Sequence, residues 1–166
     1  MSKAAGKEIS IVERGRGDRR DLLPILAESF DGIYLWHARR ILLGRAAVFA
    51  AHRDRTPVGL AMIKMLSPRI GYVYYVAVSP RERRHGIGGL LLDRCLAVLA
   101  SRGAGPILAS VTRSNPPSER LIVSRGFRPC TFRNLVLHFG PAAAVRLWMS
   151  MTVAPGERVS ALGLLP

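Results

Sequence analysis

Three features of this chain predict a single domain of mixed α/β (α+β) architecture. An apolar strand, Ile70–Val78, runs into a glycine turn that opens a helix with apolar residues at Ile87, Leu91, Cys95 and Val98, and a second strand, Ile107–Val111, follows. Two apolar segments, Ala46–His52 and Val58–Leu66, flank the turn-forming run Arg53-Asp54-Arg55-Thr56-Pro57 and read as a hairpin. Finally, 166 residues with 49% hydrophobic content can bury one sizeable core but are too few for two ordinary domains.

In chain order, residues 1–7 read as a tail and Ile9–Val12 alternates as an edge strand before the break Arg14-Gly15-Arg16-Gly17-Asp18. Asp18 is placed to cap a helix reaching about Phe30, with Leu22, Leu23, Ile25 and Leu26 as its apolar side and Pro24 confined to the first turns. A second helix covers Ile33–Leu43. After Gly126-Phe127 the sequence predicts a strand through about Phe132 and a break at Phe139-Gly140-Pro141. Pro141–Val145 could form a helical turn, Arg146–Val153 could form a last strand, and the pattern leaves the two open. From Ala154 onward the chain reads as a C-terminal tail, residues 154–166, able to lie over a partner subunit in a homodimer. No internal repeat or low-complexity tract is present.

The turn Arg83-Arg84-His85-Gly86-Ile87-Gly88-Gly89 is built to hold phosphate. Glycines leave backbone N–H groups uncovered, and a helix start presents unpaired donors at the positive end of its dipole. The arginines add charge. No Gly-Lys-Ser/Thr follows, so nucleotide hydrolysis of the Walker kind is disfavoured. Leu91 stands where a dinucleotide fingerprint has its third glycine, which disfavours dinucleotide redox chemistry.

A second block, Asn115-Pro116-Pro117-Ser118 through Gly126-Phe127, completes the pattern. The two blocks together resemble the GNAT superfamily of acyl-CoA-dependent N-acetyltransferases. Arg83-x-x-Gly86-x-Gly88 matches that family's pyrophosphate loop, and Asn115, a short helix and Gly-Phe match its second signature. The resemblance is close over residues 70–132 and follows element order elsewhere. It implies a mixed, mostly antiparallel sheet of six or seven strands flanked by about four helices and splayed at its central strands. Its cosubstrate would be acetyl-CoA, and its partner a small-molecule or peptide amine acceptor.

Roles follow from the same resemblance. Val76, Ala77 and Val78 map onto pantetheine and thioester contacts, with the Val78 amide as the donor to the acetyl carbonyl, and Arg83, Arg84, His85, Gly86, Ile87, Gly88 and Gly89 wrap the pyrophosphate. Asn115 reaches the pantetheine amide while also suiting a helix cap, and Ser118 lies one turn before Ile122 on the same face. The family's usual tyrosine acid falls at Ile122, so that acid is missing. A positioned acid contributes roughly 10²–10⁴ in rate, whereas a thiol with a pKa of about 8.5 already leaves tolerably near neutral pH. Tyr72 occupies the place of the family's usual glutamate base. By strand alternation it shares a face with Tyr74 and Val76, so both tyrosines could orient a water or shape the pocket. His37 and His52 are alternative bases. Glu28, Asp31, Tyr34 and His37 gather polar groups where the acceptor is expected, a pattern that a solvated helix face also satisfies.

Composition supplies further expectations. A formal charge of +14 from 25 basic and 11 acidic residues suggests nucleic acid, but the arginines are dispersed, without a basic block or interleaved aromatics. An arginine-rich solvated surface fits better, and the excess argues against a polycationic acceptor. No apolar stretch approaches the ~20 residues of a membrane span and the start lacks a signal-type apolar region, so the expectation is a cytoplasmic protein with no membrane partner. Cys95 and Cys130 have neither metal-ligand nor disulfide-framework spacing and read as core thiols; no metal site is expected. Two rivals to an enzyme remain: a regulatory module that binds CoA with little turnover, and a nucleic-acid-binding protein.

Overall fold

The computed structural model describes residues 8–164; the tail expected over residues 1–7 lies outside them. Strands β1 (Ile9–Glu13), β2 (Ala47–Arg53), β3 (Thr56–Ser67), β4 (Ile70–Val78), β5 (Ile107–Thr112), β6 (Arg128–Pro129) and β7 (Glu157–Leu162) join in one sheet. Their order is β1-β2-β3-β4-β5-β7-β6. Every neighbouring pair is antiparallel except β4 and β5. A parallel pair cannot be closed by a hairpin, so the chain crosses over through a 3-10 turn at Pro80–Glu82 and helix α3 (Ile87–Ser101).

Burial at every fourth position fixes how that helix sits. Ile87, Leu91, Cys95 and Leu99 are all buried, so one stripe of α3 covers one face of the sheet. Close approach needs a glycine beneath it: a Cβ on Gly59 of β3 would fall 3.0 Å from the Ala77 carbonyl oxygen and 3.1 Å from Leu91 Cδ1. The opposite face is covered by two helix pairs. Helices α1 (Leu23–Ser29) and α2 (Gly32–Leu43) bury Ile25, Leu26, Ala38 and Leu42 against Val48 and Leu60. Helices α5 (Phe132–Phe139) and α6 (Pro141–Met151) bury Leu135, Ala144, Leu147 and Met151 against Tyr72 and Leu108. The remaining helix, α4 (Pro116–Val123), follows β5.

An irregularity in β4 sets its side-chain phase. Met62 faces Tyr75 and Ile63 faces Val73, which leaves Tyr74 as an extra residue. A bulge of this kind reverses the alternation beyond it. Val73 and Val76 therefore both lie on the α3 side, while Tyr72, Tyr75 and Ala77 lie on the other. The expectation that Tyr72, Tyr74 and Val76 share one face is overturned by this single inserted residue.

Other departures have local causes. Asp18 does not cap a helix: it sits in a 3-10 turn, Arg16–Asp18, and a second such turn leads to α1 at Leu23. The strand expected through Phe132 stops at Pro129, because Thr131 and Asn134 form a reciprocal capping box that starts α5. Arg146–Val153 is not a strand; Pro141 opens α6, and Ala144, Leu147 and Met151 are buried at helical spacing. The expected C-terminal tail contains β7, which lies between β5 and β6 and pairs with β5 from Thr112–Glu157 to Ile107–Leu162. Six helices among the described residues thus replace the four or so expected. Cys95 and Cys130 are buried as anticipated, and burial pushes the Cys95 thiol up to about 12.

Because Gly59 is in close contact with both a strand carbonyl and α3, Gly59→Val should lift the helix from the sheet. The expected loss is about 1–3 kcal/mol, the range for overpacked cores, measured by urea unfolding; an unchanged midpoint would contradict the close approach.

Candidate active site

Pairing between β4 and β5 covers only Gly71–Val73 against Ile107–Ala109. Beyond those residues β4 runs to Val78 and β5 to Thr112 without pairing, so the central strands splay as expected. The ladder decides which β4 groups face the opening. Ser79 N–H donates to the Val58 carbonyl at 2.9 Å. In antiparallel register this makes Ala77 and Tyr75 the residues that exchange bonds with β3, and it turns the N–H and C=O of Val76 and Val78 away, toward the gap. The Val78 carbonyl accepts from Arg83 Nε at 3.0 Å. The two valine amides and the Val76 carbonyl remain for a ligand. Ala77, by contrast, points its side chain into the α1/α2 cluster, 4% exposed.

Next to that gap the chain makes its glycine turn. Arg84 (φ 66°) and Gly86 (φ 77°) both adopt left-handed backbone, which curls the amides of the loop onto one side. Leu90 N–H donates to the Gly86 carbonyl as the first helical bond of α3. No side chain caps the helix, so the amides of Ile87, Gly88 and Gly89 have no helical acceptor. The atoms nearest a Cβ at Gly88 would be those of Leu121, Val78 and Val76, at 3.6–4.0 Å, which puts this glycine at the junction of loop and gap. Arg83, Arg84 and His85 are exposed, and His85 Nδ1 lies 3.2 Å from the Glu82 carbonyl.

Across the gap, Asn115 Oδ1 accepts from Ser118 N–H at 3.2 Å and caps α4, leaving its Nδ2 donors unspent by the cap. Asn115, Ser118, Leu121 and Ile122 face a cavity of about 600 Å³ that continues between the splayed strands to α1 and α2. Ile122 is 6% exposed and packs with the α3-side core.

The other wall of the cavity is aromatic. His37 Nδ1 lies 2.8 Å from the Tyr75 hydroxyl, Phe30 meets the Tyr75 ring edge-on at 5.0 Å, and Tyr72 and Tyr74 form a T-shaped pair at 4.7 Å. Burial, opposed by its hydrogen bond with Ser110, raises the Tyr72 pKa, and burial raises that of Tyr74. Burial, and after it the Arg40 charge, lower that of His37. Glu157, at the start of β7, reaches the same cavity. Burial and then the Glu157 charge hold the Tyr34 phenol up to about 12.

The structure brings most of the expected residues together and separates a few. Val76, Asn115, Ser118, Glu28, Asp31, Tyr34, His37, Tyr72 and Tyr74 all border the cavity. Tyr72, however, is 1% exposed and its hydroxyl donates to the Met151 carbonyl at 2.9 Å, so it ties α6 to the sheet. His52 lies on β2, paired with Ser10 of β1, and contacts Arg14 at 3.1 Å; it is not among the cavity residues. The sequence reading missed Glu157 and Ser29. A glutamate after Pro155-Gly156, opening the alternating run Val159-Ser160-Ala161, was the available signal.

Comparison with known proteins agrees with this geometry. A sequence model of the acetyltransferase (GNAT) family matches residues 19–127. A mycothiol acetyltransferase of Thermomonospora curvata is 37% identical over 82 residues, which are 49% of this chain and 28% of that protein. The match thus spans less than a third of that relative. Among solved structures, the ribosomal-protein-S18-alanine N-acetyltransferase from Escherichia coli superposes with a TM-score of 0.70 at 19% identity, covering 96% of each chain. A GNAT family acetyltransferase from Elizabethkingia anophelis with acetyl-CoA bound gives 0.69 at 14% identity, covering 93% of this chain and 97% of that one. At these identities the likeness is one of fold.

If Tyr72 is structural, Tyr72→Phe should remove one of the two hydroxyls that meet the Met151 carbonyl, leaving Ser110 Oγ at 3.0 Å, and lower stability by about 0.5–1.5 kcal/mol. Thermal unfolding reads the loss. A folded variant whose midpoint is unchanged would show the hydroxyl free for another task.

Proposed function

Since the chain belongs to the GNAT acetyltransferase family, we propose that it is an acetyl-CoA-dependent N-acetyltransferase acting by direct transfer to a primary amine in a ternary complex. The observation that supports this most is the gap beyond Val73 and Ala109, where β4 offers unpaired backbone groups beside an uncapped, glycine-rich helix start. An extended arm ending in a pyrophosphate fits both. The amides of Ile87, Gly88 and Gly89, with those of Arg84, His85 and Gly86 curled beside them, suit phosphate oxygens. Arg83 and Arg84 supply charge that phosphates need. Val76 groups suit the amides of a pantetheine arm, which Asn115 Nδ2 and the Ser118 hydroxyl can meet from α4.

Bound acetyl-CoA supplies an activated acyl group and a thiol leaving group. The residues do the rest. Val78 N–H points at the gap and is the donor for charge developing on the acyl oxygen, the main electrostatic task in acyl transfer. The amine enters from the aromatic side, between α1/α2 and Tyr74. Ile122 favours a second reading, a CoA-binding module with little turnover, because an isoleucine can give no proton to a departing thiolate. Thiol release from acetyl-CoA across an amine panel separates the two: release only in the presence of an amine marks the enzyme, and binding without release marks the module.

The cofactor half is tested by Gly86→Glu. Its left-handed backbone and open surroundings mean the new side chain strains the turn and sets a carboxylate against the phosphates. CoA binding by calorimetry should fall below detection while the fold, checked by circular dichroism, persists. Unchanged affinity would remove the foundation of the reading.

A second expectation concerns the missing acid. Ile122→Tyr should leave CoA affinity intact and either raise turnover or leave it level, read as thiol release at saturating acetyl-CoA. A large fall in turnover would mean that the isoleucine shapes the cavity.

A further inference from the structure

Among the described residues, two buried side-chain polar atoms have no hydrogen-bond partner: Glu157 Oε2 and Ser29 Oγ. Both residues border the same cavity. Glu157 is held firmly, since its Oε1 accepts from the backbone N–H groups of Val153 and Ala154, each at 3.1 Å. Its other oxygen is buried with no partner at hydrogen-bond distance, the Tyr34 phenol being the donor near enough to couple to the carboxylate, and such an arrangement persists where a ligand completes it.

Charge around the cavity sharpens the point. The chain carries a formal charge of +14, yet among the described residues no Lys or Arg borders the cavity, and the charged residues that do are Glu28, Asp31 and Glu157. Glu28 and Asp31 are exposed at the rim. Tyr34, Tyr74, Tyr75 and His37 line the wall, and ring faces attract cations. A carboxylate with one oxygen held and the other without a partner at hydrogen-bond distance, an unpartnered hydroxyl and aromatic walls suit an ammonium group.

Resting on the N-acetyltransferase reading, we propose that Glu157 Oε2 receives the ammonium of the acceptor and takes its first proton, and that the acceptor is a cationic aliphatic amine with a second positive charge directed at Glu28 and Asp31. The proton balance is complete. R–NH3+ gives one proton to the Glu157 carboxylate and becomes the nucleophile; its C–N bond forms as the C–S bond to the thiol breaks. The second nitrogen proton goes to the thiolate, and Glu157 returns its proton to solvent. Such an acceptor departs from the expectation drawn from overall composition, that a basic chain avoids polycationic acceptors, on the ground that the local lining and not the net charge would meet it.

The test compares 1,4-diaminobutane, butylamine and 4-aminobutanoate, which differ only in the far end group, by thiol release from acetyl-CoA. kcat/KM should fall at least about tenfold from the diamine to butylamine and further to 4-aminobutanoate; an order led by 4-aminobutanoate overturns the proposal. Glu157→Gln keeps a carbonyl oxygen for the Val153 and Ala154 amides and removes the charge. At pH 7 it should lower kcat/KM for the diamine about a hundredfold or more. That loss should shrink about tenfold per pH unit as the free amine grows toward its pKa of about 10. The groups facing Glu157 are Tyr34 and His37 from α2 and Tyr72, Tyr74 and Tyr75 from β4, with Glu28 and Asp31 at the rim; none replaces a carboxylate in that profile. A Glu157→Gln enzyme with wild-type rates contradicts the role. If no cationic amine is turned over, or bound in calorimetry, by a protein that still binds CoA, the ammonium site fails and the cofactor reading stands. Loss of CoA binding in the unaltered protein would sink that reading itself.

Discussion

A strand that loses its neighbour part-way along leaves a row of backbone donors and acceptors with nothing to bond, a situation folded proteins ordinarily avoid. Here it occurs at the middle of the sheet, where β4 and β5 part after Val73 and Ala109. The cause is built into the topology. Only this pair is parallel, its crossover helix α3 must start beyond the end of β4, and the extra residue at Tyr74 adds local twist where the two strands separate. Every other functional feature is placed by that opening: the glycine turn at one end, α4 with Asn115 along one side, and the aromatic cavity behind it.

The division of charge follows the same geometry. Exposed arginines dominate the surface, and the exposed ion pairs, such as Arg158 with Glu119, contribute little to stability. Inside the cavity the sign changes. Phosphates would meet the arginine side of the opening and an ammonium the acidic side, so the two ends of the site attract opposite charges and the ligands would be oriented before any bond forms.

The parts of this fold that were legible in the sequence are those whose chemistry is local. Ile70–Val78, the Arg83–Gly89 turn and the Asn115 cap each depend on contiguous residues, and the structure places them as expected. Arg146–Val153 stayed open because its dense apolar residues suit a strand or a helix; the burial of Ala144, Leu147 and Met151 with Met149 74% exposed shows that the helical period governs. The bulge at Tyr74 carries no glycine or proline to announce it, yet it reassigns every side chain beyond it. The role of Glu157 at the cavity was hidden for a different reason: local pattern could mark it as a strand opening, but its cavity neighbours Tyr34 and His37 come from the other end of the chain, and the sheet order, with β7 inserted beside β5, brings them together.

The central claim is that the unpaired backbone of β4 and the start of α3 together form the cofactor slot. Amide resonances of 15N-labelled protein titrated with CoA test it residue by residue. The account predicts that Val76, Val78, Ile87, Gly88 and Gly89 shift most and gain protection from hydrogen exchange, while Tyr75 and Ala77, already paired with β3, gain no protection. Shifts confined to other surfaces, with the Val76 and Val78 amides unmoved at saturation, would contradict it.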